Sequence, residues 1–399
     1  MWPALVVETM NKITGGSMKT TRRSFFKTLG LGIAASATAR TMLPRFKVEA
    51  QTLEASATKI FDNGIIQLNQ NESGRGPGPN TLKAIRDHAT KRIGRGYPSD
   101  YVNELHETIA NEFDLDKGNV LLASGSTPLL DGSVKAFCSR TQSLVTAVPS
   151  FSTSASMARK IGAPVREVVL DDSMTIDLEG MAAQAPGAGM VYLCNPNNPS
   201  GTIHGPAAIE KFVRQVMQTA PGTIIHIDEA YIDYADPGAM ETALPLVNEF
   251  KNVFITRSFS KAHAMAGLRI GYALGHADTI SAIDNSWGMG DVTMLGAVGA
   301  LTSFKDKAHI EWERKENAEI KALVTKTFED MGYEVPKSHT NHLFVNLKRP
   351  ASEFREACLS EKIAVGRDFP PMENSHCRIS LGSREEMTQA IQVFRKILS

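Results

Sequence analysis

Met190-Val191-Tyr192-Leu193-Cys194-Asn195-Pro196-Asn197-Asn198-Pro199-Ser200-Gly201 decides the fold. An apolar run stops abruptly at a loop of prolines, asparagines and a glycine, so a buried strand runs into a tight turn. The helical pattern Ile209–Met217 follows, and then the apolar run Thr223–Ile227, which ends at Asp228. A strand, a crossover helix and a second strand make a βαβ unit, whose strands lie parallel. The alternation continues outward. Asn119–Ala123, Ser143–Val148 and Val253–Thr256 read as further buried strands, and Val134–Phe137 and Met157–Ile161 as helices between them. Such a sheet is covered on both faces and holds ligands beyond the carboxyl ends of its strands.

Past about residue 290 the pattern changes. One long charged helix is expected over roughly Lys305–Met331, then strands at His342–Leu347 and Cys377–Leu381 and a final helix, Arg384–Leu398. The expected organisation is a leader over 1–39, an N-terminal arm over 40–78, a large α/β domain over 79–293 and a smaller α+β domain over 294–399. The 399 residues, 42% hydrophobic and 22% charged, suffice for two domains. With 43 basic and 43 acidic residues, the net charge gives no reason to expect a nucleic acid or an anionic membrane as partner. Four cysteines, at 138, 194, 358 and 377, form no CxxC or Cys/His cluster, so neither a zinc site nor a disulfide framework is expected.

The amino terminus reads as an address. Thr21-Arg22-Arg23-Ser24-Phe25-Phe26-Lys27 precedes the modestly apolar run Leu29–Ala35 and the small-residue triplet Ala37-Thr38-Ala39. The run is far short of the roughly 20 residues that span a bilayer, so no stable membrane anchor is expected. The pattern resembles a twin-arginine signal, with Met18 a natural start. It implies a periplasmic enzyme that meets the translocation machinery already folded, and a cytoplasmic one if the leader does not function. A chain starting at Arg40 carries 38 basic and 42 acidic residues, net −4.

Chemistry-bearing residues fall at the strand ends. Gly125-Ser126-Thr127 opens a helix after a strand, where backbone N–H groups and the helix dipole favour an anion. Asn198 sits in the proline-framed loop. Asp228-Glu229-Ala230-Tyr231 lies thirty residues on, and a buried carboxylate there needs a partner such as a protonated ring nitrogen. Ser258-Phe259-Ser260-Lys261 follows the next strand, and Gly267-Leu268-Arg269 adds a cation eight residues after the lysine.

With Leu68-Asn69-Gln70-Asn71-Glu72, Arg95-Gly96-Tyr97-Pro98, Arg367-Asp368 and Arg378-Ile379-Ser380, these motifs carry a resemblance. From about Leu68 to its end the chain resembles fold-type-I pyridoxal-phosphate enzymes, most closely the histidinol-phosphate aminotransferase family. The resemblance implies a mixed, mostly parallel seven-stranded sheet and pyridoxal 5'-phosphate as cofactor. It implies that Lys261 carries the cofactor as a Schiff base and moves the substrate proton, and that Asp228 pairs with the ring nitrogen. Asn198 and Tyr231 would bond the ring hydroxyl, and Phe151 would stack on the ring. Ser126, Thr127, Ser258, Ser260 and Arg269 would hold the phosphate, joined by Tyr97 from the neighbouring subunit of a homodimer. Arg378 would fork onto the substrate carboxylate, with Arg367 a second substrate-side arginine or a surface ion pair. The chain departs from the family at Thr127-Pro128, where acidic residues are usual, and at Ser73-Gly74 in the arm.

Three functions follow from this. The first is a transaminase moving an amino group between an L-amino acid, or a histidinol-phosphate-like amine, and a 2-oxo acid. The second is an exported enzyme using the same cofactor for decarboxylation, cyclisation or elimination on an amino acid or peptide. The third is a non-catalytic binding protein, against which the intact Lys261, Asp228 and Arg378 argue.

Overall fold

The computed structural model describes residues 64–94 and 99–398. The leader and Tyr97 lie outside the described residues. Ile66–Leu68 forms β1. Seven strands then build the main sheet: β2 (Val120–Ala123), β3 (Ser143–Val148), β4 (Val165–Val169), β5 (Ala188–Cys194), β6 (Ile224–Asp228), β7 (Val253–Ser258) and β8 (Gly271–Gly275). Their order is β2-β8-β7-β6-β5-β3-β4. Only β8 runs against its neighbours. The parallel strands therefore deliver their carboxyl ends to one edge, and β8 brings its amino end to that same edge.

β5, β6 and β7 are almost wholly buried, as their unbroken apolar runs require. One apolar core, including Val191, Ile225, Ile255 and Phe212, packs one face, and another, including Leu144, Tyr192, Phe254 and Leu130, packs the other. Helix Met294–Lys305, beyond the expected boundary at 293, adds Ala297, Ala300 and Phe304 to the first of these cores.

Further on, β9 (His342–Asn346) pairs antiparallel with β11 (His376–Ser380), and β10 (Ile363–Val365) pairs parallel with β1. Helices Lys307–Asp330, Ala351–Ser360 and Arg384–Leu398 cover them around Phe328, Phe354, Val345 and Phe394. Leu68 of the arm is part of this core. The long charged helix expected over roughly 305–331 is present as Lys307–Asp330, and Asp306 caps it, its carboxylate accepting the His309 N–H at 3.1 Å. No helix among the described residues is long and apolar enough to cross a membrane.

Candidate active site

A cavity of about 690 Å³ opens at the carboxyl edge of the sheet. It is lined by Ser126, Thr127, Phe151, Asn198, Asp228, Tyr231, Ser258, Ser260, Lys261 and Arg269 from the sheet side and by Arg367 and Arg378 from the β9–β11 side. Every described residue singled out from the sequence is thus brought to one place. The lining holds five cations (Lys261, Arg269, Arg355, Arg367, Arg378) against three carboxylates (Glu72, Asp228, Asp368), so it favours anionic groups.

The loop after β5 divides its asparagines by task. Asn195 holds the loop to itself, accepting the His204 N–H and donating to the His204 carbonyl. Asn197 accepts from Ser150 and donates to Pro149 and Ser200. Only Asn198 is left for the cavity, where its Oδ1 accepts from Arg378 Nη1 at 3.0 Å. Asp228 and Glu229 divide likewise. Glu229 turns away into an ion pair with Arg257 at 3.0 Å. Asp228 is 3% exposed, and its carboxylate accepts from the Tyr192 hydroxyl at 2.9 Å and the Thr256 hydroxyl at 3.0 Å. Burial raises its pKa to about 6, against the pull of those two donors.

Lys261 Nζ donates to the carbonyls of Asn71 at 3.2 Å and Gln70 at 3.4 Å. Burial, and then the neighbouring Arg378, bring its pKa down to about 8. Tyr231 lies beside it, ring centroid 5.6 Å from Nζ, and its hydroxyl accepts from Asn71 Nδ2 at 2.9 Å. Burial pushes that phenol up.

At the far corner Gly125, with φ +88°, lies against Arg269: a Cβ there would come 2.2 Å from the guanidinium. A Cβ on Gly271 would come 2.6 Å from the Ser126 nitrogen. Two glycines thus let a helix start, a serine pair and a guanidinium converge. Arg269 Nη1 reaches Ser260 Oγ at 3.5 Å, and Ser258 Oγ accepts the Ser260 N–H at 3.1 Å. The corner is an anion cradle, and with the buried Asp228 it fits pyridoxal phosphate.

Arg378 is buried. It donates to Asn198 and to the Asn69 carbonyl, and its Nε has no partner. Arg367 is exposed on the outer wall, over Phe369 at 4.3 Å, donating to Ser152 and to the Asp368 carbonyl. Neither partner is a carboxylate, so the surface ion pair considered for it is not formed here. Asp368 instead takes a fork from Arg355 at 2.5 and 3.2 Å. Sequence reasoning gave no task to Asn71, though its motif was visible. Asn71 is 1% exposed, has φ +55°, bonds Tyr231 and Lys261, exchanges hydrogen bonds with Ser380 and accepts from Asn341. It also gave no task to Tyr192, Thr256 or His226, which look like core strand residues until the register is known.

A weakly basic lysine across a cavity from a buried carboxylate, beside an anion cradle, is what pyridoxal-phosphate chemistry needs, and this sheet is that of fold type I. Known proteins narrow the class. The sequence pattern of the family described as aminotransferase class I and II matches residues 63–394, and the chain belongs to that family. It is a pyridoxal-phosphate-dependent aminotransferase. It is similar to the histidinol-phosphate aminotransferase of Moorella thermoacetica, 29% identical over 354 residues covering 88% of this chain and 90% of the relative. It is also similar to the aromatic amino acid aminotransferase of Mycobacteroides abscessus, 31% identical over 346 residues, 86% of this chain and 96% of the relative. Among solved structures, the histidinol-phosphate aminotransferase of Sinorhizobium meliloti in complex with pyridoxal-5'-phosphate superposes with a TM-score of 0.75 at 26% identity, covering 90% of this chain and 99% of that one.

Proposed function

We propose that the chain transfers an amino group from an L-amino acid, or a histidinol-phosphate-like amine, to a 2-oxo acid, with Lys261 as the acid–base group. When bound, pyridoxal phosphate supplies the electron sink for the charge left when the substrate loses its α-proton. The observation that carries the reading is the convergence of Lys261, Asp228, Asn198, Tyr231 and Arg378 on one cavity. With a pKa of about 8, Lys261 Nζ is neutral in roughly a tenth of molecules at pH 7, so it can bond to a carbonyl carbon or take a proton. Asp228 would face the ring nitrogen, Asn198 and Tyr231 the ring hydroxyl, and Phe151 the ring face. Ser126, Thr127, Ser258, Ser260 and Arg269 would hold the phosphate. Arg378 would take the substrate carboxylate and Arg367 a more distal anion.

Two further elements of the proposal rest on sequence alone. Tyr97 would complete the phosphate site of a neighbouring subunit, which makes the working unit a homodimer. Arg22-Arg23 would direct the folded holoenzyme through the twin-arginine machinery to the periplasm. An amino-donor screen on purified protein tests the function. Conversion of the cofactor's absorbance to that of its amine form by one donor, reversed by a 2-oxo acid, supports transamination. Release of carbon dioxide or ammonia with the cofactor spectrum restored would overturn it in favour of another reaction type.

A further inference from the structure

We propose that His226 and Thr256 form a positioning pair that, through one hydroxyl proton, holds Asp228 as the anionic partner of the cofactor's ring nitrogen. The inference rests on the assignment of Asp228 made above and adds two residues that do not line the cavity. The register puts them there. Thr256 on β7 is the cross-strand neighbour of Asp228 on β6, and His226 precedes Asp228 by two positions on the same face. Tyr192 and Phe254 are the cross-strand neighbours of His226.

The Thr256 hydroxyl has one proton and two claimants. Its oxygen lies 3.0 Å from Asp228 Oδ1 and 2.8 Å from His226 Nε2. If the proton points to Nε2, the carboxylate loses a donor, and the imidazole proton moves to Nδ1, which is buried with no partner. Both consequences leave a buried polar group unsatisfied. If the proton points to Asp228, Nε2–H donates to the hydroxyl oxygen, and both the imidazole N–H and the threonine O–H are used. Only a bare acceptor, Nδ1, is left over. The second arrangement is the stable one.

The ring cannot turn to escape it. It is fully buried, stacked on Phe254 at 4.2 Å and met edge-on by Tyr192 at 5.2 Å. Burial also holds its pKa down at about 3, so it stays neutral and sends the carboxylate no competing charge. A neutral, immobile donor behind Thr256 thus fixes which way its hydroxyl points. The order is His226 Nε2–H to Thr256 Oγ1, and Thr256 Oγ1–H to Asp228.

The test reads the ring proton itself. Holoenzyme loaded with pyridoxal phosphate carrying ¹⁵N in the ring shows, by its nitrogen chemical shift, whether that nitrogen is protonated. Thr256→Val should move the shift toward unprotonated pyridine and Thr256→Ser should return it to the wild-type position. kcat should fall roughly tenfold in Thr256→Val with KM kept, the size expected for one lost hydrogen bond to a charged group. His226→Leu with Thr256→Val should do no more than Thr256→Val alone, because the histidine acts only through the hydroxyl. An unchanged nitrogen shift in Thr256→Val, equal behaviour of Thr256→Val and Thr256→Ser, or additive effects in the double variant would overturn the proposal. If His226→Leu fails to fold, the Thr256 pair alone decides. Asp228→Asn separates the two levels. If it leaves the shift unmoved, the assignment of Asp228 fails; if it moves the shift and Thr256→Val does not, only the relay fails.

Discussion

Replacing Arg378 with lysine isolates geometry from charge. The guanidinium has five N–H donors, of which one goes to Asn198 Oδ1 at 3.0 Å and one to the Asn69 carbonyl. Three remain for a substrate carboxylate, so Arg378 can keep its tethers and still offer a fork. An ammonium cannot do both: it is a point charge with three donors on a flexible stem. At least one charge-assisted hydrogen bond to the carboxylate is then lost, which costs about 1.5–3 kcal/mol, or roughly 10- to 150-fold in kcat/KM. The assay is the single-turnover decay of the holoenzyme's cofactor absorbance on mixing with an amino acid donor. The matching amine without its α-carboxylate serves as control and should lose less than about threefold, since it never used the fork. An equal loss with both donors would show that Arg378 acts by holding Asn198 and not by holding substrate. A wild-type rate with the amino acid would refute the carboxylate role outright.

Lys261→Ala should abolish turnover and the borohydride-reducible adduct; an adduct at normal stoichiometry would place the cofactor on another amine. In the wild-type apoenzyme, adduct formation should speed up as pH rises and level off above about 8, because only the neutral amine attacks and its pKa is lowered from 10.5 to about 8. A midpoint at the ordinary lysine value would contradict the burial of the amine beside Arg378. Glu313→Gln should destabilise the fold by about 3–5 kcal/mol in urea titrations, since it leaves a buried Arg75 without its charge partner at 2.6 Å; a loss below about 1 kcal/mol would mean that water replaces the pair. Changing Arg22 and Arg23 to lysine should strand active holoenzyme in the cytoplasm, and undiminished periplasmic activity on fractionation would reject the twin-arginine reading.

The sheet was legible where burial is complete. β3, β5, β6 and β7 are apolar runs bounded by turn residues, and each reads directly. β4, Val165-Arg166-Glu167-Val168-Val169, is a half-exposed edge strand whose charges blur its pattern. β8 is hidden by its glycines, yet Gly271 is glycine because the Ser126 amide passes so close. The residues at the strand ends were legible because each motif joins a turn signal to a chemical group. Their support was not. Thr256 and His226 read as strand filler because a cross-strand partner is a fact of register, which sequence spacing does not encode. The long charged helix was legible too: its expected start at Lys305 falls beside Asp306, which caps it.

The arm explains why the site needs both parts of the molecule. Asn71 stands in the left-handed region, a conformation asparagine tolerates better than most side chains. The carbonyl meets Lys261 and Asn341, while Nδ2 meets Tyr231 and Oδ1 meets Ser380. Lys261 and Tyr231 follow strands of the large sheet, whereas Ser380 ends β11 and Asn341 precedes β9. One residue therefore bridges the lysine side of the cavity and the Arg378 side. The bridge is itself fixed at two points, by Leu68 in the β9–β11 core and by Arg75, which donates to Glu313 and to the Gly382 carbonyl. Because the acceptors for Lys261 and the tether of Arg378 all come from residues 69–71, the spacing between amine and guanidinium is set by the arm and not by either core alone. A substrate held by both groups, as proposed above, would span that spacing. If substrate is held as proposed, changes at Ser73 and Gly74 are expected to alter substrate choice through the lie of the arm, since neither residue lines the cavity.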